Sequence, residues 1–120
     1  MLKADGDGPV SMLNLLKFKD RATYKDGEDV SGETAYRRYA SAFAKLVAGH
    51  GVTTNYSGRV LAQLIGEGAD WDAAAIVTYP NAAKMIEMTS SDDYRKIHYH
   101  RRAGLDGQLL LACGGEGLFE

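Results

Sequence analysis

Apolar residues occupy both faces of "VSMLNLLKF", Val10 to Phe18, as in a strand that is covered on both sides. The pattern then stops. Lys19 to Gly32, "KDRATYKDGEDVSG", is polar and aperiodic. A loop of that length is uncommon inside a compact domain, and it reads either as a lid over a ligand or as a mobile surface loop. From Glu33 to His50 apolar residues return at spacings of three and four. Tyr36, Tyr39, Ala40, Phe43, Leu46 and Val47 form one stripe of a helix, and Arg37, Arg38 and Lys45 are left to water. Asp29 and Ser31 are candidate caps, and Gly49 and Gly51 supply the stop.

Val52 to Ile65, "VTTNYSGRVLAQLI", reads as a long strand with a bulge or bend at Gly58. The "GEGAD" turn leads into "WDAAAIVTYP", a strand ended by Pro80, so the two form a hairpin. Asn81 can cap a short helix whose inward positions are Ala82, Met85, Ile86 and Thr89. Ser90 and Asp93 stand at capping-box spacing before a second helix, closed by Gly104 and Gly107. "QLLLAC" is a last strand, and "GGEGLFE" a tail whose Leu118 and Phe119 are placed to dock on a neighbouring subunit.

The order of strand, helix, strand, strand, helix pair and strand is the split βαβ arrangement of an α+β ferredoxin-like sandwich. Its antiparallel sheet carries the helices on one face. Residues 1–120 make a single domain. Strands that are apolar on both sides would leave a large open patch in a monomer. A homodimer closing two sheets into an α/β barrel is therefore expected.

Composition narrows the possible partners. With 45% hydrophobic and 25% charged residues the chain is an ordinary globular sequence. A net charge of −2 lacks the basic footprint of a nucleic-acid binder. The first ten residues, "MLKADGDGPV", lack the apolar run of a signal peptide, and no stretch approaches the roughly 20 apolar residues of a membrane span. A cytoplasmic protein with no nucleic-acid or membrane partner is expected. Cys113 is the single cysteine, so no internal disulfide can form. Its neighbours Leu109 to Ala112 favour a buried, inert thiol.

Candidate chemistry concentrates in "DYRKIHYHRRAGLDG", Asp93 to Gly107. On a helix His98 and His100 point roughly 200° apart and cannot share one metal ion, so no metal is expected. Arg95, Lys96, Arg101 and Arg102 scatter around the helix, and Lys96, His100 and Arg102 read as a solvated, dipole-complementing face. Tyr94, Ile97, His98 and Arg101 share the inward face. An inward guanidinium needs a partner. That partner is either a protein carboxylate or the helix end, or else an acidic or enolate group on a ligand. His98 is a candidate general acid or base, with a satisfied core histidine as the alternative.

Asn14 shares a strand face with Met12, Leu16 and Phe18. Its amide must find hydrogen bonds, to a backbone group or to a carbonyl or oxyanion in a cavity. Tyr56 and Arg59 fall on opposite strand faces, so at most one shares a given cavity. Trp71 reads as rim packing or a ligand platform, and Asp72 as a turn residue or a base. No Ser-His-Asp order, Cys-His pair, phosphate loop or paired-carboxylate spacing stands out.

"WDAAAIVTYPNAAKMIEMTSSDDYRKIHYHRRAGLDGQLLLAC", Trp71 to Cys113, resembles the second half of the bacterial family called domain of unknown function thirteen-thirty, small dimeric α/β-barrel proteins. The "VSMLNLLKF" strand and the "YRRYASAFAKLVAGHG" helix resemble its first half. The most specific part is the run of strand, "YP", short helix, "S-x-D-Y" and then Arg101, seven residues beyond Tyr94. The Lys19 to Gly32 loop looks longer than in the compact members. The resemblance implies the ferredoxin-like fold and the barrel dimer, and no agreed activity. The wider superfamily includes cofactor-free monooxygenases of polycyclic phenols, lactone isomerases and haem-binding enzymes, but fold does not fix function.

The expected function is therefore binding of a small aromatic or carbonyl-bearing metabolite in an apolar pocket between sheet and helices. Asn14, Tyr56, His98 and Arg101 would make polar contacts, with Tyr94, Trp71 and Asp72 as further binding residues. If the protein is an enzyme, the chemistry is cofactor-independent proton transfer, as in an isomerase, or oxygenation, as in a monooxygenase. His98 would be the base, and Arg101 or Asn14 would steady the developing oxyanion. No cofactor is expected. The competing reading is a non-catalytic dimeric binding or assembly module whose polar residues satisfy one another; haem binding is a third.

Overall fold

The computed structural model describes residues 8–68, 70–114 and 119. The elements are β1 (Val10–Phe18), α1 (Gly32–Val47), β2 (Thr53–Arg59), β3 (Ala73–Tyr79), α2 (Ala82–Thr89), α3 (Asp92–Gly104) and β4 (Leu105–Gly114). They form an α+β ferredoxin-like fold, with a four-stranded sheet in the order β2-β3-β1-β4, all neighbours antiparallel. The helices lie on one face.

The three helices are capped by short side chains. Ser31 Oγ accepts the Thr34 amide of α1 at 3.0 Å, and Asn81 Oδ1 accepts the Lys84 amide of α2 at 2.7 Å. α3 starts one residue later than expected. Ser91, not Ser90, accepts the Tyr94 amide at 3.1 Å, so the Ser90–Asp93 box does not form. Gly49 and Gly51, at φ of 81° and 75°, take the left-handed conformation that stops α1.

β2 and α2 both depart from expectation. β2 ends at Arg59 instead of running to Ile65, because β3 begins only at Ala73 and residues 60–65 have no strand beside them. Leu61, Leu64 and Ile65 stand about nine-tenths exposed. The bulge falls at Asn55, between Thr54 and Tyr56, and not at Gly58. In α2 the buried residues are Ala82 and Met88, while Ile86 turns outward and Thr89, with Met85, borders the space between sheet and helices. Met88 packs with Val47 and Tyr79 in the core, flanked by Met12, Phe43, Val77 and Met85.

Lys19 to Ser31 is an ordered loop. Lys19 N–H donates to Gly104 O at 2.8 Å, Thr23 N–H to Ala103 O at 3.0 Å, and Ala22 N–H to Val30 O at 2.8 Å. The Tyr24 hydroxyl lies 2.6 Å from His100 Nδ1. Glu28 pairs with Arg38 at 2.7 Å. This loop crosses the point where the N-terminus of α1 meets the C-terminus of α3. A Cβ on Gly104 would stand 2.5 Å from the Gly32 carbonyl oxygen, and one on Gly32 would collide with the backbone of Lys19. Glycine at both positions lets three backbones converge.

The sheet face away from the helices carries Leu13 and Leu15 of β1, Ile76 of β3, and Leu109 and Leu111 of β4, the β1 and β4 residues lying opposite one another. Leu109 and Leu111 are exposed, and so is Cys113, contrary to the buried thiol expected of its apolar neighbours. Those neighbours alternate between two faces, and only one of them has helices on it. Phe119 is fully exposed, and Leu118 lies outside the described residues. Among the described residues no helix is long and apolar enough to cross a membrane.

Candidate functional site

Strand alternation sends Met12, Asn14 and Leu16 toward the helices, together with Ala75, Val77 and Tyr79 of β3 and Gln108 and Leu110 of β4. α1 and α3 pack on one another above this face. Between the layers lies a cavity of about 580 Å³, within the range of small-molecule sites. Its floor comes from those three strands together with Thr54 and Ser57 of β2. Tyr36, Tyr39 and Phe43 of α1 and Tyr94, His98 and Arg101 of α3 form its roof.

Spacing on α3 explains the last three. Positions 94, 98 and 101 recur at four and three residues, one stripe of a helix. The Tyr94 hydroxyl meets the Tyr39 hydroxyl at 3.0 Å. The rings of Tyr36, Tyr39, Phe43, Tyr94 and His98 follow one another with centroids 5.4–6.3 Å apart. Burial raises the phenol pKa values of Tyr36 and Tyr39, and pushes Tyr79 up to about 12. All three phenols are therefore neutral donors at ordinary pH.

Arg101 is 8% exposed and Asn14 6%. The guanidinium donates from Nε and Nη2 to Gln108 Oε1 at 3.2 and 2.7 Å. Its other contacts are longer, Nη1 to the Tyr36 hydroxyl at 3.4 Å and Nη2 to Asn14 Oδ1 at 3.3 Å. The cation also stands 5.7 Å from the Tyr36 ring centroid and 5.3 Å from that of Tyr39. Every one of these partners is neutral. Among the described residues Arg101 forms no ion pair, so the protein carboxylate open to it on sequence grounds is not there.

Asn14 takes the first of the two roles open to it, bonding backbone groups. Its Nδ2 donates to the carbonyls of Met12 and Ala75 at 3.1 and 3.4 Å, which turns Oδ1 toward Arg101. His98 is half-buried on the cavity wall. Burial lowers its pKa, and Arg102 and Arg101 add to the effect. At neutral pH the ring is an uncharged proton acceptor.

The structure thus brings Asn14, Tyr94, His98 and Arg101 together and leaves Tyr56, Trp71 and Asp72 outside the cavity. The Asn55 bulge aims Thr54 and Ser57 at the cavity and Tyr56 at the opposite face, where it is 53% exposed. Arg59 pairs with Glu33 at 3.0 Å. Asp72 is tied into the sheet, its Oδ2 accepting the Phe18 amide at 2.8 Å and its own amide donating to Leu16 O. Trp71 precedes it at the same end of β3. The 19–31 loop does not reach the cavity; Thr23 to Asp26 border a separate open hollow with Tyr99 and Arg102. His98 and His100 face opposite sides of α3, one the cavity and one Tyr24.

Gln108 escaped the sequence reading. The signal was the one that singled out Asn14, a lone amide in an apolar strand.

A family model described as domain of unknown function (DUF1330) matches residues 25–114. The chain belongs to this family. No curated protein matches it. Among solved structures, it is similar to the methylated RPA0582 protein, with 29% identity, a TM-score of 0.88, and coverage of 98% of this chain and 88% of that one. Another structure of RPA0582 is described as a protein of unknown function from Rhodopseudomonas palustris. A dimeric ferredoxin-like protein of Bacteroides fragilis is 10% identical, with a TM-score of 0.56 over 95% of this chain and 99% of that one. A hydroxynitrile lyase from Passiflora edulis is 12% identical, with a TM-score of 0.66 over the same shares. The last two likenesses concern the fold alone.

Proposed function

We propose that this DUF1330 protein is a homodimeric, cytoplasmic binder of a small, largely apolar metabolite that presents a carbonyl or anionic oxygen to Arg101. The observation that carries this is the guanidinium itself. A cation nine-tenths buried, held by neutral groups at the edge of an apolar cavity, retains an unanswered charge. An oxygen anion entering there would answer it, with the aromatic wall of Tyr39, Phe43 and Tyr94 against the ligand's body. Two sheets closed face to face would cover Leu109, Leu111 and Cys113, and a dimeric relative in fold supports that arrangement.

If the ligand is turned over, the chemistry is cofactor-independent proton transfer, or oxygenation in which dioxygen is the second substrate and the oxidant. His98, uncharged at neutral pH, takes a proton from a carbon or hydroxyl beside the carbonyl, and Arg101, its guanidinium held by Asn14 Oδ1 and Gln108 Oε1, faces the oxyanion that develops. The Passiflora hydroxynitrile lyase is small-molecule chemistry on the same scaffold.

The test is a thermal-shift panel of aromatic carboxylates and enolisable carbonyl compounds on the wild type and on Arg101→Met. A ligand at a hundred times its Kd stabilises by about 2.7 kcal/mol, a rise of roughly 10 °C for a domain of this size. Arg101→Met should keep the fold and lose that rise. Equal shifts in both proteins would remove Arg101 from the site. With a turned-over compound in hand, His98→Ala should abolish turnover and leave the dimer intact.

A further inference from the structure

We infer that the cavity selects a monoanion bound end-on at the Nη1–Nη2 edge of Arg101, and that Gln108 sets this selection. The inference rests on the binding reading above and specifies the ligand's charge. A guanidinium has two edges on which it can receive a carboxylate bidentately. One of them, Nε–Nη2, is already taken by Gln108 Oε1, with the shortest of the four contacts at 2.7 Å. The other, Nη1–Nη2, is held only by the 3.4 and 3.3 Å contacts to Tyr36 and Asn14. Contacts at that length are weak, so a carboxylate or enolate oxygen can displace or share them.

Charge bookkeeping sets the valence. Among the described residues lining the cavity, Arg101 is the one permanently charged side chain; His98 is held neutral, burial keeps Tyr36, Tyr39 and Tyr79 protonated, and no Asp, Glu or Lys joins them. One positive charge in a low-dielectric setting is matched by one negative charge. A dianion would bring a second charge with no partner, at the cost of its desolvation. A neutral ligand would leave Arg101 unanswered. The ligand class is thus an aromatic or branched apolar monoanion, a monocarboxylate or a preformed enolate.

Gln108 matters because of what it is not. A glutamate at the same place would reach the same edge, neutralise the guanidinium internally and turn the pocket into one for uncharged ligands. Gln108 is exposed along β4, so Gln108→Glu should fold as the wild type does.

The experiment is calorimetric titration of the wild type and of Gln108→Glu with three probes of one shape: 2-naphthoate, 2-naphthamide and naphthalene-2,6-dicarboxylate. The wild type should take the monoanion at least about tenfold more tightly than the amide or the dianion, or ~1.4 kcal/mol. Gln108→Glu should weaken 2-naphthoate by about tenfold or more and leave 2-naphthamide within about threefold. Naphthoate and naphthamide bound alike, or a Gln108→Glu variant that keeps the preference, would overturn the charge selection while the cavity reading survives. Tighter binding of the dicarboxylate would overturn it too. Binding of none of the three would bring down the cavity reading with it.

Discussion

Replacing Gly104 by alanine tests the geometry that holds the roof of the cavity in place. The new Cβ would stand 2.5 Å from the Gly32 carbonyl oxygen, 3.0 Å from the Tyr36 amide nitrogen and 3.2 Å from the Ala35 Cβ. Two of these neighbours are backbone atoms, so no side-chain rotation relieves the clash. α1 must move off α3 by the better part of an ångström. Overpacking of this kind costs about 1–3 kcal/mol. The movement also pulls on the Lys19-to-Gly104 and Gly32-to-Lys19 hydrogen bonds of 2.8 and 3.0 Å, each contributing about 1 kcal/mol. Against this stands the helix preference of alanine over glycine, at most about 1 kcal/mol. The net expectation is destabilisation by about 2–4 kcal/mol, or a melting temperature lower by roughly 8–16 °C for a chain of this length. Differential scanning calorimetry reads both. Gly107→Ala is the control, because its Cβ would meet only the Lys17 Cβ, at an ordinary 3.8 Å, and it should stay within about 1 kcal/mol of the wild type. A Gly104→Ala protein that melts with the wild type would refute the close crossing, and an equal loss in Gly107→Ala would refute its specificity.

Two more outcomes follow from the site and the sheet. The His98 pKa is lowered on folding, so as pH falls below about 6.5 the unfolded chain takes the proton first and stability is lost, down to the folded-state pKa. Urea unfolding at pH 7.5 and 5 should show a smaller loss in His98→Gln than in the wild type; identical losses would place the ring in water. Leu111→Asp puts a charge beside Leu13 on the open sheet face, on the edge strand β4. It should convert a dimer to monomer in sedimentation velocity, whereas an unchanged mass would mean that the two sheets do not meet there.

The elements were legible where their causes are local. The two-faced apolar run of Val10 to Phe18 and the stripe of Tyr36, Tyr39 and Phe43 are written into neighbouring residues, and Ser31 and Asn81 cap helices through amides three positions on. Even so, two adjacent serines, Ser90 and Ser91, were equivalent locally, and packing of α3 chose between them. β2 misled for a related reason. The apolar residues Val60 to Ile65 look like a strand, but a strand exists only where another runs beside it, and none does.

The sequence by itself determined the α+β order, the inward face of α3 that carries Tyr94, His98 and Arg101, and the membership of Asn14 in a buried strand face. Only the tertiary structure decided what those groups meet. Asn14 and Arg101 are 87 positions apart, and their contact depends on α3 crossing β1. Gln108 reaches Arg101 because β4 pairs with β1 in the register that sets Gln108 opposite Leu16. The exclusion of Tyr56 hangs on a one-residue bulge, and a shift of one residue in a strand reverses every side chain beyond it. Local periodicity gives each residue a side; long-range registers decide which sides face one another, and Arg101, the one buried cation among the described residues, owes its neutral company to them.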